Sequence, residues 1–180
     1  MVAKRSLLDE LKTVKEINLY ACYQCGKCGA GCPLVNDMDY KPNQIIRMLQ
    51  MGNAEFDKQA LNALSIWLCL TCHTCSARCP QEVDFPFVLD FLREESLRRG
   101  LVNRKARKIL AFHQSFLKSV KNNGRLFEGG LIATYKLKSL DLLKDLKLAP
   151  AMILKHKLNF IPYKIKGLRS FQKLFNKGSV

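Results

Sequence analysis

The sequence has no run of 18 apolar residues, so it lacks the segment that a transmembrane helix requires. Its first ten residues lack the apolar core of a secretory signal. No alternating pattern of half-buried strands is evident. Gly29-Ala-Gly31 lies between cysteines, not between a strand and a helix, and so gives no dinucleotide fingerprint. These absences predict a mainly helical, cytoplasmic chain with reduced thiols.

Acidic residues are scarce in the second half of the chain. Residues 1–100 contain 12 Lys/Arg and 12 Asp/Glu, whereas residues 101–180 contain 18 Lys/Arg and only 3 Asp/Glu. The net charge of +15 therefore belongs entirely to the last 80 residues. We predict two parts, a neutral domain at 1–100 and a basic helical extension at 101–180 that serves for docking.

All eight cysteines lie in the first 80 residues, in two runs that both read C-x2-C-x2-C-x3-C-P and are offset by 47 residues. The first run contains Cys22, Cys25, Cys28 and Cys32, and the second contains Cys69, Cys72, Cys75 and Cys79. This spacing is typical of bacterial-type ferredoxin clusters, because three cysteines at steps of three can reach three corners of one iron–sulfur cube. The sequence therefore predicts two [4Fe–4S] clusters.

In two-cluster proteins with this motif, the fourth cysteine of each run binds the other cluster. We therefore predict one cluster on Cys22, Cys25, Cys28 and Cys79, and the other on Cys69, Cys72, Cys75 and Cys32. Glycine N–H groups are expected to donate to sulfur in the first loop, from Gly26, Gly29 and Gly31. Hydroxyl groups are expected to do so in the second, from Thr71, Thr74 and Ser76.

Two other uses of eight cysteines remain open. Two Cys₄ zinc sites are possible, although zinc ribbons use separated C-x2-C pairs. Four disulfides would need an oxidising compartment. His73 lies between two cysteines and could be taken for a ligand, but four cysteines already serve each cluster, so we expect a loop residue. His113 and His156 are expected to be ordinary helix residues.

Helical periodicity and stop signals predict the segments around the loops. Helices are expected at residues 42–51, about 57–66, and 84–100. A fourth begins after Asn103 and ends near Gly124, with its apolar face formed by Ile109, Phe112, Phe116 and Val120. Ser139 is expected to begin another helix, which runs to Leu148.

The segments that flank the cysteines resemble HdrC, an iron–sulfur subunit of heterodisulfide reductase, over about residues 15–100. The residues that carry this resemblance are the first loop, residues 41–52, residues 66–80 and residues 83–86. The resemblance implies an α-helical ferredoxin domain. With 21 residues before Cys22, we expect no plant-type [2Fe–2S] domain. The cysteine-rich CCG repeats of the HdrB subunit are absent as well.

The resemblance also implies a role. HdrC passes single electrons between a flavin-containing, HdrA-like subunit and an HdrB-like catalytic subunit that performs disulfide chemistry, and it is not itself catalytic. The alternative is an iron–sulfur subunit of another flavoprotein or of a quinone-linked dehydrogenase. The sequence indicates neither the direction of electron flow nor the terminal donor and acceptor.

The last segment, residues 163–175, can be drawn as an amphipathic helix. Ile165, Leu168, Phe171 and Phe175 lie on one side, and Lys166, Arg169 and Lys173 on the other. Three interpretations remain open: docking on a partner subunit, peripheral contact with an anionic membrane at its inner face, or packing on its own domain. No nucleic-acid-binding motif is present, so charge alone does not predict a nucleic-acid partner.

Overall fold

The computed structural model describes residues 6–15, 17–139 and 162–177. Within these residues the regular structure is helical and no strand is present, which confirms the predicted mainly α-helical fold. The chain divides into two compact units, Met1–Ala106 and Arg107–Val180. None of the described helices combines the length and the apolar character needed to cross a bilayer.

The first unit contains seven described α-helices and two short 3₁₀ turns. The α-helices are α1 (Leu7–Lys15), α2 (Lys27–Ala30), α3 (Pro42–Gln50), α4 (Ala54–Leu61), α5 (Ser65–Leu68), α6 (Thr74–Ala77) and α7 (Phe85–Arg98). The 3₁₀ turns are Leu19–Ala21 and Arg104–Ala106. The predicted helices at 42–51 and 84–100 are thus present as α3 and α7.

Helix α3 forms where its local signals predict. Pro42 occupies the first turn, and the Lys41 N–H donates to the side chain of Gln44 over 2.8 Å, which closes the N-terminus. Ile45 and Leu49 are fully buried on one face. Gly52 follows in the left-handed region at φ +57°, a conformation that glycine adopts without steric cost.

The helix predicted at about 57–66 is wrong in its limits. Helix α4 begins earlier, where the Asn53 side chain accepts the Glu55 N–H over 2.8 Å. The chain breaks after α4 and begins again as α5. The break has a long-range cause, since the carboxylate of Asp39 accepts the N–H groups of Leu64 (2.7 Å) and Ser65 (2.9 Å) and so caps α5 from a distant loop.

Helix α1, which the sequence analysis did not predict, is fixed to this unit by apolar and ionic contacts. Leu7 and Leu11 are fully buried. The Leu7 N–H donates to buried Asp57 over 3.0 Å. At the other end of the interface, Glu10 pairs with Arg99 over 2.9 Å, and Arg99 also pairs with buried Glu95.

The second unit contains α8 (Arg107–Asn123), α9 (Glu128–Ser139) and α10 (Leu168–Lys177) among its described residues. Helix α8 follows Asn103, whose side chain accepts the Lys105 N–H over 2.9 Å, as predicted for a cap. The helix predicted from Ser139 to Leu148 lies outside the described residues, except for Ser139, which is the last residue of α9.

The predicted apolar face of α8 is wrong. Its buried residues are Ala111, Ser115, Ser119 and Asn123, one position away from the expected stripe. Phe112 and Phe116 remain 44% and 38% exposed. Small residues allow α9 to approach closely, and the hydroxyl of Ser119 accepts the Phe127 N–H over 2.9 Å. Close packing of α9 therefore decided the buried face, and side-chain hydrophobicity did not.

The amphipathic segment near the C-terminus packs within the second unit. Its helix begins only at Leu168, after Gly167 at φ +77°. The Ile165 N–H donates to the Asn123 carbonyl over 3.1 Å, and the Gln172 amide donates to the Lys121 carbonyl over 3.1 Å. The four residues of its predicted apolar side, Ile165, Leu168, Phe171 and Phe175, are half-buried, so of the three interpretations this packing favours a helix on its own unit.

Candidate metal centres

The two cysteine loops have the same backbone conformation at an offset of 47 residues. Gln24 and Thr71 have φ of 64° and 53°, and Gly26 and His73 have φ of 76° and 56°. Short helices α2 and α6 follow at the same offset. The sequence repeat is therefore a structural repeat, in which each loop makes the same left-handed turns before its third cysteine.

The helices after the loops repeat as well, at an offset of 43 residues. Both α3 and α7 have proline in their first two positions. Ile45 and Leu49 of α3 correspond to Val88 and Leu92 of α7, and all four are fully buried. Each half of the site is therefore a loop followed by an amphipathic helix that anchors it to the core.

The first half of the site opens into a cavity that contains cysteines from both runs. Three of these cysteines come from the first run, and Cys79, the fourth cysteine of the second run, joins them. The wall also contains Cys75, Ile46, Val83 and Phe85. Helices α2 and α6 pack on each other, which brings the end of the second run beside the first loop.

The second half of the site has the reciprocal arrangement. Its cavity is lined by Cys69, Cys72 and Cys75 of the second run and by Cys32 of the first. Leu34, Met38 and Phe85 give this wall an apolar character. The empty space measures about 400 Å³, part of it open to solvent. The two cavities share Cys75 and Phe85.

The eight cysteines differ in exposure. Cys25 and Cys72, the second cysteine of each run, are exposed, and the other six are half-buried. Burial raises the pKa of Cys28, and it raises that of Cys75 to about 11. At neutral pH these two thiols are therefore protonated unless a cation compensates the thiolate, and a bound iron would supply that compensation.

Hydrogen bonds to sulfur come from several kinds of donor. Backbone N–H groups of Thr71 and Val83 donate to the sulfurs of Cys69 (3.4 Å) and Cys79 (3.3 Å). The Gln24 amide lies 3.6 Å from the sulfur of Cys22. Such donors stabilise thiolates, and they tune the reduction potential of a cluster that the thiolates bind.

The predicted hydroxyl donors are confirmed only in part. The Thr74 hydroxyl lies 3.4 Å from the sulfur of Cys72, and hydrogen bonds to the thiolate from this hydroxyl and from the Thr74 N–H lower the pKa of Cys72. The prediction that the Ser76 hydroxyl donates to sulfur is wrong, because this hydroxyl donates to Asp84 over 3.0 Å. Among the predicted glycines, the Gly29 N–H stabilises the Cys28 thiolate. Gly26 instead supplies the left-handed turn.

Neither of the two described histidines lines the cavities. His73 is exposed and occupies the turn position that glycine fills in the first loop. His113 is an exposed residue of α8. His156 lies outside the described residues. At least four thiols line each cavity, five in the first and four in the second, and neither described histidine is among them. Four thiolates are the donor set that a [4Fe–4S] cluster takes.

Sequence reasoning missed two polar side chains that hold the loops in place. Gln50, the last residue of α3, and Arg93, in α7, each donate to carbonyl groups of a cysteine loop. Neither residue belongs to a motif. The signal that could have found them is their common position, the ninth residue of the helix that follows each loop.

Comparison with known proteins identifies a domain family that includes both cysteine runs. A family described as "4Fe-4S dicluster domain" matches residues 18–83. The HdrC subunit of the ferredoxin:CoB-CoM heterodisulfide reductase of Methanosarcina acetivorans is 32% identical over 99 residues, which are 55% of this chain and 37% of that protein.

A second relative is the iron–sulfur HdrC 2 subunit of the CoB–CoM heterodisulfide reductase of Methanocaldococcus jannaschii. It is 30% identical over 120 residues, which are 67% of this chain and 60% of that protein. The chain thus spans less than two thirds of the length of either relative. It is an iron–sulfur protein similar to the HdrC subunit of heterodisulfide reductase, with a 4Fe-4S dicluster domain at residues 18–83 and two [4Fe–4S] clusters as its cofactors.

Proposed function

We propose that this chain is an electron-transfer subunit of a heterodisulfide reductase-like complex. It would relay single electrons between an HdrA-like flavoprotein and an HdrB-like catalytic subunit, and would perform no substrate chemistry of its own. The observation that supports this most is the shared wall of the two cavities, formed by Cys75 and Phe85. Two one-electron centres that share a wall are suited to passing an electron between them, which is the chemistry that iron–sulfur clusters supply.

The ligand sets of the two centres are part of this proposal. Cys22, Cys25, Cys28 and Cys79 would bind one cluster, and Cys69, Cys72, Cys75 and Cys32 the other. The composition of the two cavities supports this crossed arrangement, since each has the first three cysteines of one run and the fourth cysteine of the other, and only Cys75 lines both. Crossed ligands would also tie the two loops together, so metal binding would contribute to folding.

The exposed cysteines indicate where electrons would enter and leave. Cys25 belongs to one cavity and Cys72 to the other, and exposed apolar side chains flank both. Tyr23 is 58% exposed and Leu70 is 68% exposed. Each centre would therefore face a different partner, through the most exposed cysteine of its run.

We further propose that the second unit docks the chain onto its partners. Residues 107–180 contain 16 Lys/Arg against 3 Asp/Glu, and Phe112, Phe116 and Leu117 are exposed on α8. An acidic partner surface would complement this charge. Because the apolar side of the C-terminal segment packs on α8, docking would use its basic side, which contains Lys166, Arg169 and Lys173.

The test is isolation of the native complex, followed by a direct electron-transfer measurement. A tagged chain is purified anaerobically and its partners are identified by mass spectrometry. We expect a flavoprotein and a protein with CCG repeats. The visible absorbance of the dithionite-reduced chain should then recover when the oxidised catalytic protein is added. Co-purification with a quinone-reactive dehydrogenase instead would support the alternative function.

A control separates electron transfer from mere association. The Cys25→Ser and Cys72→Ser variants alter one centre each and leave the second unit unchanged, so they should still bind both partners. Each variant should slow transfer between the two partners. If both variants transfer electrons at the wild-type rate, the relay through these centres is refuted.

A further inference from the structure

In each half of the site, one side chain of the helix that follows the cysteine loop donates to two backbone carbonyls at the start of that loop. In the first half this side chain is Gln50, at the end of α3. Its amide nitrogen donates to the carbonyl of Leu19 over 2.8 Å and to that of Cys22 over 3.0 Å. Gln50 therefore bridges the first cysteine of the loop and the residue three positions before it.

Arg93 of α7 forms the same bridge in the second half. Its Nε donates to the carbonyl of Ile66 over 2.5 Å, and its Nη2 donates to that of Cys69 over 2.8 Å. Ile66 and Cys69 are the 47-residue equivalents of Leu19 and Cys22. The same two backbone positions of each loop are thus held by the ninth residue of the following helix.

The two bridges differ in charge. Gln50 is neutral, and its oxygen accepts from Arg47, three residues earlier, over 3.5 Å. Arg93 is cationic, and it pairs over 2.8 Å with Asp90, which is also three residues earlier. The Arg93 side chain is only 18% exposed, whereas that of Asp90 is 58% exposed. Solvent therefore screens the carboxylate more than the guanidinium, which leaves a net positive field at Cys69.

We propose that Gln50 and Arg93 are equivalent positioning residues for the two clusters, and that the charge of Arg93 also raises the reduction potential of the cluster on Cys69, Cys72 and Cys75. The first part follows from the bridges, which fix the backbone at the first ligand of each loop. The second follows because a reduced cluster carries one more negative charge, which a nearby half-buried cation stabilises. This inference rests on the ligand sets proposed above.

Two variants of Arg93 separate its charge from its hydrogen bonds. Arg93→Gln introduces the side chain that bridges the first loop, and it removes the charge. Arg93→Lys keeps the charge but cannot donate to two carbonyls through a planar fork. We expect Arg93→Gln to shift the midpoint potential of the second cluster to a more negative value, and Arg93→Lys to leave it close to that of the wild type.

Three further variants within the same chain complete the comparison. Asp90→Asn removes the opposing charge without touching the carbonyls, and should shift the same cluster to a more positive potential. Gln50→Ala removes the neutral bridge, and should lower the iron occupancy of the first cluster. Arg93→Ala should lower that of the second.

The measurement is a redox titration of the full-length holo-protein, followed by EPR, together with iron analysis. The Cys25→Ser and Cys72→Ser variants assign each EPR signal to a loop. Wild-type potentials in both Arg93→Gln and Asp90→Asn would overturn the electrostatic part. Full occupancy of both clusters in Arg93→Ala and Gln50→Ala would overturn the positioning part. Since no partner protein is needed, failure of the proposed electron-transfer role would leave these readings unchanged.

Discussion

Crossed ligation can be tested by counting iron in paired cysteine variants. The wild-type chain should hold about eight iron and eight sulfide, because each [4Fe–4S] cluster contributes four of each. The structure places Cys32 in the cavity of the second loop, beside Cys69, Cys72 and Cys75. Cys32→Ala should therefore remove a ligand of the second cluster, although it lies next to the first loop in sequence.

The expected magnitude is a loss of one cluster and not of both. Cys32→Ala alone should lower the iron content from about eight to about four per chain, with a corresponding loss of visible absorbance. Cys79→Ala should cause a similar loss at the first cluster, because Cys79 lines that cavity. The two single variants cannot be distinguished by iron content, so the assignment needs combined substitutions.

Combined substitutions distinguish crossed from local ligation without spectroscopic assignment. If Cys32 and Cys72 serve the same cluster, the Cys32→Ala/Cys72→Ala variant should still hold about four iron. If Cys32 and Cys25 serve different clusters, the Cys32→Ala/Cys25→Ala variant should hold almost none. Local ligation predicts the reverse order of the two double variants. That reverse order, measured on soluble and anaerobically reconstituted protein, would falsify the crossed assignment.

Three further predictions follow from the first unit. Burial alone would raise the pKa of Asp39, but hydrogen bonds from Ser65, Leu64 and Tyr40 together lower it, so Asp39→Ala should cost about 2 kcal/mol of stability. Because an acid with a lowered pKa contributes stability that is lost only as pH falls through that value, the stability cost of Asp39→Ala should be constant from about pH 6 to 8. Urea titrations measure both the cost and its pH dependence. A cost that changes between these pH values would contradict the ionised Asp39 carboxylate as its cause. Cutting the chain after Ala106 should preserve both clusters, since Ala106 is the last residue of the unit; if the soluble fragment loses its iron, the division into cluster domain and docking unit is wrong. His73→Gly should retain both clusters and raise stability by about 1 kcal/mol, because glycine adopts the φ of +56° without strain; loss of the second cluster in this variant, by iron analysis, would restore His73 as a candidate ligand.

Local signals explain which parts of the fold the sequence could predict. Helix α3 and the end of α7 are defined by proline, by side-chain caps and by glycine within a few residues, so their limits could be predicted. The break between α4 and α5 depends on Asp39, which is 25 residues from Leu64 in sequence. A contact over that distance leaves no periodic trace in the sequence.

The cysteine motif gave the candidate ligands and their number, because its spacing is set by the chemistry of the cluster. It did not give the side chains that hold the loops. Gln50 and Arg93 differ in chemical type, and each acts on backbone carbonyls, which have the same chemistry in every residue. Helix α8 shows a related limit, since its buried face follows Ala111, Ser115 and Ser119, and a search for large apolar residues overlooks such a face.

The mixed walls of the two cavities have a consequence for the order in which the protein is made. Synthesis proceeds from the N-terminus, so the first run emerges from the ribosome well before the second. A nascent chain that ends before Cys79 has neither cavity complete, because the first lacks that cysteine and both lack Phe85. Until both runs have emerged, the early thiols lie on an unfinished surface that oxygen and free metal ions can reach. If each centre takes the cysteines that line its cavity, neither centre can be fully loaded before the second run has emerged, and the early thiols are most open to oxidation in the interval before it.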